Sequence, residues 1–505
     1  MRVPSPGPAA RLALLAAVVI GGLATVSGGA QSAIFAGAAR LVVQDAALPA
    51  IDRGLRAQEP PRDPIERATP RLARADVAPG APYLASSVIV KFKGEATFDL
   101  LDIPAGADAE AVSAAWRARA DVEYAQPRYL NHAMSRPNDP LYQNQWNFPA
   151  LDMERAWDIQ PGATADIIVA VLDSGLAFYS GTLRYNSRFA FRLAPGGPVY
   201  PALGVVDVPF AAAPELGASE SSRFVAPRDF IWDDTLPVDL DGHGTHVAGT
   251  VGQLTNNNLG VAGMAYNVRI MPVKIIQGIW DEIFSSPNEG TDDVVARGIR
   301  YAADNGARVI NMSIGRTQGG PAPAVTEAIR YAVGKGAFVA LASGNSREQG
   351  NQPNRLAEAA PEIDGAVAVA AVGRTLDAAF YSTTGAAVEI AAPGGDQRQG
   401  GTVAGILQQT LDQDLLETYN RPPSQYGPPR ADSFAYYYFQ GTSMATPHVS
   451  GFAALLMQQG ITSPAAVEAA MKAFATDKGA PGRDDVYGYG LINPRATLRG
   501  LGLAR

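Results

Sequence analysis

The strongest pattern along the chain is a series of short, largely apolar runs. Ile167–Ile168–Val169–Ala170–Val171–Leu172 runs into Asp173–Ser174–Gly175, and comparable runs occupy 268–276, 308–314, 337–342 and 366–372. A run with no polar alternation predicts a strand buried on both faces, as in a parallel sheet. Segments with helical spacing lie between the runs, at 243–254, 292–305 and 323–335. This alternation predicts an α/β domain, a parallel sheet with helices on both faces. Asp173 then falls at the C-terminal end of a strand, where open α/β sheets place their sites.

The pattern upstream is different. Residues 87–92 (Ser-Val-Ile-Val-Lys-Phe) read as a strand, 109–119 as a helix with Val112, Ala115 and Trp116 on one face, and 122–129 as a second extended piece. The unit 84–134 is too small to be the main body, and on its own residues it reads as an independent binding module. Before it, 31–83 is rich in Ala, Arg and Pro without an apolar period, which predicts a loosely ordered pro-segment or linker. Arg2 and Arg11, the apolar run 12–26 and the small residues around Ala30 and Ala33 form an export signal over 1–30. The apolar run is short of the roughly twenty residues that span a bilayer, so no membrane anchor is expected after cleavage. The main domain is expected over 135–505.

Composition narrows the chemistry. The 505 residues carry a net charge of −8, which argues against a nucleic-acid partner. Hydrophobic content of 47% and charged content of 18% fit a globular protein. There is no cysteine, which removes disulfides, thiolate metal sites and a cysteine nucleophile together.

Two segments carry candidate chemistry. In Gln440–Gly441–Thr442–Ser443–Met444–Ala445–Thr446–Pro447–His448, Gly441 allows a tight entry into a helix, with Ser443 at the N-cap, Pro447 in the first turn and 452–457 as the buried stretch. The local residues favour Ser443 as a cap; the alternative is a nucleophile beside backbone N–H groups. In Asp241–Gly242–His243–Gly244–Thr245–His246–Val247–Ala248–Gly249–Thr250 stand two of only four histidines. A dinucleotide fingerprint fails, because no strand precedes the glycines and their spacing differs. A zinc site is weak, since no glutamate lies between the histidines and no third ligand is signalled. The remaining reading is a general base, His243, at a helix start, with His246 as a packing or hydrogen-bonding residue.

Asp-Ser-Gly after an apolar strand, His-Gly-Thr-His-Val-Ala-Gly opening a helix, and Gly-Thr-Ser-Met-Ala-Thr-Pro-His, in that order, closely resemble the subtilisin-like serine proteases (subtilases) over about 138–498. The resemblance implies a subtilisin-like α/β fold, its mostly parallel central sheet flanked by helices, preceded by a small α+β propeptide domain. It implies that Asp173 orients His243, that His243 takes the proton of Ser443, and that Ser443 attacks the scissile carbonyl. Asn345, in Ala342–Ser343–Gly344–Asn345, would supply an oxyanion donor with the Ser443 N–H. Ser313, Ile314 and Gly315 would pair with an extended peptide, and Ala342, Ser343 and Gly344 would form the facing wall. His448 is expected to be structural.

The resemblance further implies a secreted serine endopeptidase, extracellular or periplasmic, working as a monomer on polypeptides through an acyl-enzyme. The unit 84–134, through 122–129, resembles the family's propeptide, an intramolecular inhibitor removed by self-cleavage between about His132 and Arg136. No cofactor is needed for the chemistry. A structural calcium is expected from Asp139, Leu254, Asn257, Leu259 and Val261, in a loop resembling the family's main calcium loop. The alternative is a latent or non-catalytic binding protein of the same fold, against which the intact Asp173, His243, Ser443 and Asn345 speak. A lipase or esterase lacks its Gly-x-Ser-x-Gly elbow.

Three departures stand out. Asp173 and His243 are 70 positions apart, longer than usual in the family, with no His-Pro-Asp after the aspartate. Insertions are expected near 177–224 and 395–433. The stretch 346–364, expected at the floor of the first pocket, does not follow the common pattern, which leaves side-chain preference open.

Overall fold

The computed structural model describes residues 83–104, 106–129, 136–217 and 222–500. The export signal, the segment 31–82 and the expected cleavage site near 132–135 lie outside the described residues. The chain divides into two compact units near residue 134. Among the described residues, no helix is long and apolar enough to cross a membrane.

The smaller unit is a three-stranded antiparallel sheet of β1 (Tyr83–Phe92), β2 (Asp99–Asp102) and β3 (Val122–Tyr129), in the order β2-β1-β3. Its helix, Ala109–Arg117, starts where the Asp108 carboxylate accepts the Glu110 N–H at 3.1 Å, a side-chain cap. Val88, Val90, Val122 and Ala125 bury one face of the sheet against Ala109, with Val112 and Trp116 packed alongside. Strand β2 was not predicted; it is four residues long and mostly exposed, so it carries no apolar signal.

The larger unit holds β4 (Ile168–Asp173), a hairpin of β5 (Gly181–Ser187) and β6 (Gly204–Phe210), β7 (Arg228–Asp229), β8 (Arg269–Lys274), β9 (Val309–Met312), β10 (Phe338–Ala342), β11 (Ala366–Val372), β12 (Val388–Pro393), and a hairpin of β13 (Ile406–Leu411) and β14 (Phe434–Phe439). Seven of these form one parallel sheet in the order β12-β11-β10-β9-β4-β8-β7. Successive side chains point to opposite faces. Val169 and Val171 join one core with the helices His243–Gly252 and Thr442–Gln458, through Val247, Val449 and Phe452. Ala170 and Leu172 join a second core with the helices Asp292–Asp304 and Pro323–Gly334, through Val295, Ile299, Val325 and Ile329. Burial on both faces is why most of these strands read as largely apolar runs. The chain leaves β4 for β8 on one side and returns to β9 on the other, so Asp173 ends a strand at a topological switch point.

Strand β12 was not predicted because Glu389 interrupts its apolar pattern. That carboxylate is buried beside the Lys472 ammonium at 2.6 Å, and it accepts the Ala368 N–H at 3.3 Å. The two expected insertions pack together. Ala211 N–H donates to the Ala431 carbonyl and Ala431 N–H to the Pro209 carbonyl, each at 3.0 Å. The Phe191 and Tyr200 rings meet Tyr426 at 5.6 and 5.3 Å, and Tyr426 stacks on Trp280 at 5.8 Å. The second hairpin extends to Phe439, beyond the expected boundary at 433.

Candidate active site

Asp173 closes β4 with its side chain fully buried. Its Oδ1 accepts the Ser174 N–H at 2.8 Å and lies 2.7 Å from His243 Nδ1. His243 is the first residue of its helix. The N-cap, Gly242, has φ 93°, and a side chain there would meet Gln413 and Thr410. Gly244 faces the sheet, and a side chain on it would run into the Gly175 carbonyl. These two glycines let the helix start lie directly against the strand end that carries Asp173.

Gly242 has no side chain to cap with, and Asp239 takes that role. Its Oδ1 accepts the N–H groups of Asp241 at 3.0 Å and Gly242 at 2.8 Å, and its Oδ2 accepts the Thr245 N–H at 2.9 Å. Ser174 Oγ donates to Asp239 and accepts the Gly244 N–H at 2.9 Å. Burial alone would lower the His243 pKa. The charge and hydrogen bond of Asp173, with Asp241 and Asp239 nearby, outweigh burial and hold it above the ordinary 6.5.

The helix Thr442–Gln458 corrects the sequence reading of its start. Its N-cap is Gly441, at φ 154° and ψ 161°, and Ser443 is the second helical residue. Ser443 therefore caps nothing. Pro447 stands inside the helix beyond the first turn, rather than within it. Asn345, exposed at the surface, accepts on Oδ1 from the Thr442 N–H and the Thr442 hydroxyl, each at 2.9 Å. An N–H can only donate, so the amide's orientation is fixed, and Nδ2 is left as a free donor beside the Gly441–Ser443 turn. Ser443 Oγ donates to the Ser313 carbonyl at 2.9 Å.

Ser313, Ile314 and Gly315 follow β9, and Ala342, Ser343 and Gly344 end β10 and begin its loop, so both expected walls lie at the sheet's C-terminal edge beside Ser443. The stretch 346–364 provides their link, which the sequence did not single out. Asn354 Nδ2 donates to the Ile314 carbonyl at 3.0 Å and to the Ala342 carbonyl at 2.6 Å, one from each wall. Its Oδ1 accepts the N–H groups of Arg316 and Leu356. A side chain at Gly315 would collide with Asn354.

The other two histidines of these motifs are structural, as expected. His246 Nε2 donates to the carbonyls of Ile406 at 3.0 Å and Tyr437 at 3.2 Å, and burial holds its pKa down at about 3. His448 lies between the Met444 carbonyl and the Asn147 amide, each at 2.8 Å, with its pKa lowered by burial to about 4.

Among the residues expected around calcium, the side-chain oxygens of Asp139 and Asn257 accept N–H groups of the same loop. Asp139 spends Oδ2 on the Asn256 N–H at 2.9 Å and Oδ1 on the Asn257 N–H at 3.2 Å, while Asn257 Oδ1 accepts the Leu259 N–H at 2.9 Å. Val261 N–H points to the buried Glu215 carboxylate at 3.0 Å, and Leu254 N–H to the Glu215 carbonyl at 2.8 Å. A hard cation needs converging oxygens; Leu254, Leu259 and Val261 could offer one only their carbonyls, while the N–H groups of Asn256, Asn257 and Val261 go to the two acids. Burial raises the pKa of Asp139, and that of Glu215 to about 7. Glu215 was not anticipated; its only sequence signal is an acid within the apolar stretch of the first insertion.

The sequence model of the Subtilase family matches residues 164–490. A thermophilic serine proteinase of Bacillus sp. (strain AK1) is 31% identical over 373 residues, covering 74% of this chain and 71% of the relative. Thermitase of Thermoactinomyces vulgaris is 31% identical over 326 residues, covering 64% and 86%. A solved protease of Pseudoalteromonas arctica PAMC 21717 superposes with a TM-score of 0.52 at 27% identity, covering 72% of this chain and 99% of that one. The chain belongs to the subtilase family and is a serine endopeptidase, with polypeptides as its substrates.

Proposed function

We propose that Ser443 is the nucleophile, His243 its general base and Asp173 the carboxylate that orients His243 and stabilises its protonated form. The 2.7 Å contact between Asp173 Oδ1 and His243 Nδ1 carries this reading. That bond places the Nδ1 proton on the Asp173 side and leaves Nε2 to take the Ser443 proton. The hydroxyl must turn from the Ser313 carbonyl to His243 to be activated. Attack on the scissile carbonyl would form an acyl-enzyme on Ser443, with the Asn345 Nδ2 amide and the Ser443 N–H donating to the developing oxyanion. Protonated His243 would then give its proton to the leaving amine, and water would release the acyl group by the same base.

An extended substrate would pair with Ser313–Gly315 on one side and Ala342–Gly344 on the other, as an added strand. The enzyme is made as an exported, self-processing precursor whose unit 84–134 acts as inhibitor until cleavage. The signal pattern at 1–30 and the compact smaller unit support this.

A fluorophosphonate probe, followed by peptide mapping, tests the chemistry: the adduct is expected on Ser443 and absent in His243→Ala. An adduct elsewhere, or none on folded, processed protein, rejects the assignment. Ser443→Ala is expected to accumulate as precursor when expressed alone; normal maturation of that variant would reject self-processing.

A further inference from the structure

Pro447 is the sixth residue of its helix and has no N–H to give the carbonyl four residues back, which belongs to Ser443. A buried acceptor left this way is costly unless another donor reaches it. The Ser313 hydroxyl does so at 2.8 Å, from the loop after β9. Its neighbours fix the direction of that bond. Asn311 Nδ2 donates to Ser313 Oγ at 3.0 Å, which leaves the hydroxyl proton for the Ser443 carbonyl. Asn311 Oδ1 in turn accepts from Ser450 Oγ at 2.8 Å, two turns further along the serine's own helix. Asn311 and Ser450 are fully buried and Ser313 nearly so.

We infer that Ser450, Asn311 and Ser313 form a buried polar relay that positions the catalytic serine through its own carbonyl. This rests on the reading of Ser443 as nucleophile. Holding the Ser443 carbonyl fixes the peptide plane that follows the residue, and the Cα and Cβ attached to that plane are anchored with it. In an ordinary helix the next turn would fix this carbonyl. Here strand β9 fixes it, and the same strand leads into the wall proposed to hold the substrate. Nucleophile and substrate wall are thereby tied to one rigid element. Asn311 and the Ser313 hydroxyl are positioning residues, since neither is required to touch the reacting atoms.

A double-mutant cycle tests the relay. Ser313→Ala, Pro447→Ala and the double variant are compared by kcat per titrated active serine, with KM alongside, on a peptide amide. Ser313→Ala is expected to lower kcat about tenfold with KM little changed. In the Pro447→Ala background the new N–H can take the Ser443 carbonyl, so the same loss should shrink to less than about threefold. An equal loss in both backgrounds, a change in KM alone, or an unchanged kcat would overturn the relay. Ser450→Ala, at its far end, gives a second reading if Ser313→Ala folds poorly: a smaller drop in kcat that disappears beside Pro447→Ala. Failure of the nucleophile assignment would appear separately, as parent enzyme that takes no fluorophosphonate on Ser443.

Discussion

Replacing Asn345 by aspartate separates its two ends. The oxygen that accepts from the Thr442 N–H and hydroxyl, each at 2.9 Å, is retained, so the turn before Ser443 keeps its anchor. The other end changes from an N–H₂ donor to a carboxylate oxygen. Losing one oxyanion donor typically costs about 10²–10³ in turnover. The carboxylate adds repulsion: two unit charges about 4 Å apart at an effective dielectric of 20 interact by about 4 kcal/mol, close to another three orders of magnitude. The helix N-terminus favours the ionised form, so the charge is present at assay pH. Asn345→Ala loses donor and anchor together without the repulsion. Kinetics per titrated active site on a peptide amide should therefore rank parent above Asn345→Ala above Asn345→Asp, with the losses in kcat, while Asn345→Asp melts near the parent temperature. A kcat for Asn345→Asp within about threefold of the parent would refute the oxyanion role. So would equal losses for the two variants, because the predicted repulsion would then be missing.

Asp173→Asn should lower kcat by about 10⁴, since an amide there can hold the wrong imidazole tautomer; a loss confined to KM would contradict the orienting role. His243 must be neutral to accept a proton, and its pKa is raised, so kcat/KM should climb with pH through a midpoint above 6.5. A midpoint at or below 6.5 would show that the carboxylates do not govern it. The Glu215 pKa rises from 4.5 to about 7 on folding, so the folded state holds this proton more tightly than the unfolded chain. Stability should therefore fall as pH rises between these values, by up to about 3 kcal/mol from this group. Glu215→Gln should flatten that fall in denaturant titrations at pH 5 and pH 8, and an unchanged slope would reject it. Asp139 already accepts two N–H groups of its loop, so chelator should leave the melting temperature unchanged; a large drop would show calcium held there through the loop's carbonyls.

The sheet was legible because its strands are buried on both faces, so that β10 and β11 are wholly apolar, β4 is apolar up to Asp173 and β9 is apolar apart from Asn311. The candidate residues were legible because three short motifs carry them in order. What escaped depends on partners distant in sequence. Glu389 breaks the pattern of β12 and is neutralised by Lys472, 83 residues away. Ser443 has the residue type of a cap, yet the helix begins earlier because Asn345, 97 positions upstream, takes the first N–H. Asp239 was within reach, as an acid just before a helix start, but the glycine between it and His243 concealed which residue does the capping. Asn354 gives no local sign that it joins two walls. Asp139 and Asn257 had the composition of a calcium loop, whereas composition does not reveal that their side-chain oxygens accept N–H groups of that loop.

The two expected insertions form one structure, and it bears on the helix that begins with His243. Asp239 and Ser174 hold the start of that helix from the sheet side. The β13–β14 hairpin holds it from the opposite side. His246 Nε2 donates to the Ile406 and Tyr437 carbonyls, its ring stacks on Phe439 at 4.4 Å, and the Thr410 hydroxyl donates to the Gly242 carbonyl. A buried imidazole held neutral, with a pKa of about 3, needs such acceptors; leaving its N–H unpaired would cost about 1–3 kcal/mol. Trp280 extends the attachment by donating to the Leu416 carbonyl at 2.7 Å while stacking on Tyr426. The first insertion is joined to this hairpin by its two main-chain bonds with Ala431. Segments that interrupt the family pattern in sequence therefore complete the packing around His243. The long separation between Asp173 and His243 is compatible with a 2.7 Å contact because the intervening chain is folded against the helix it delays.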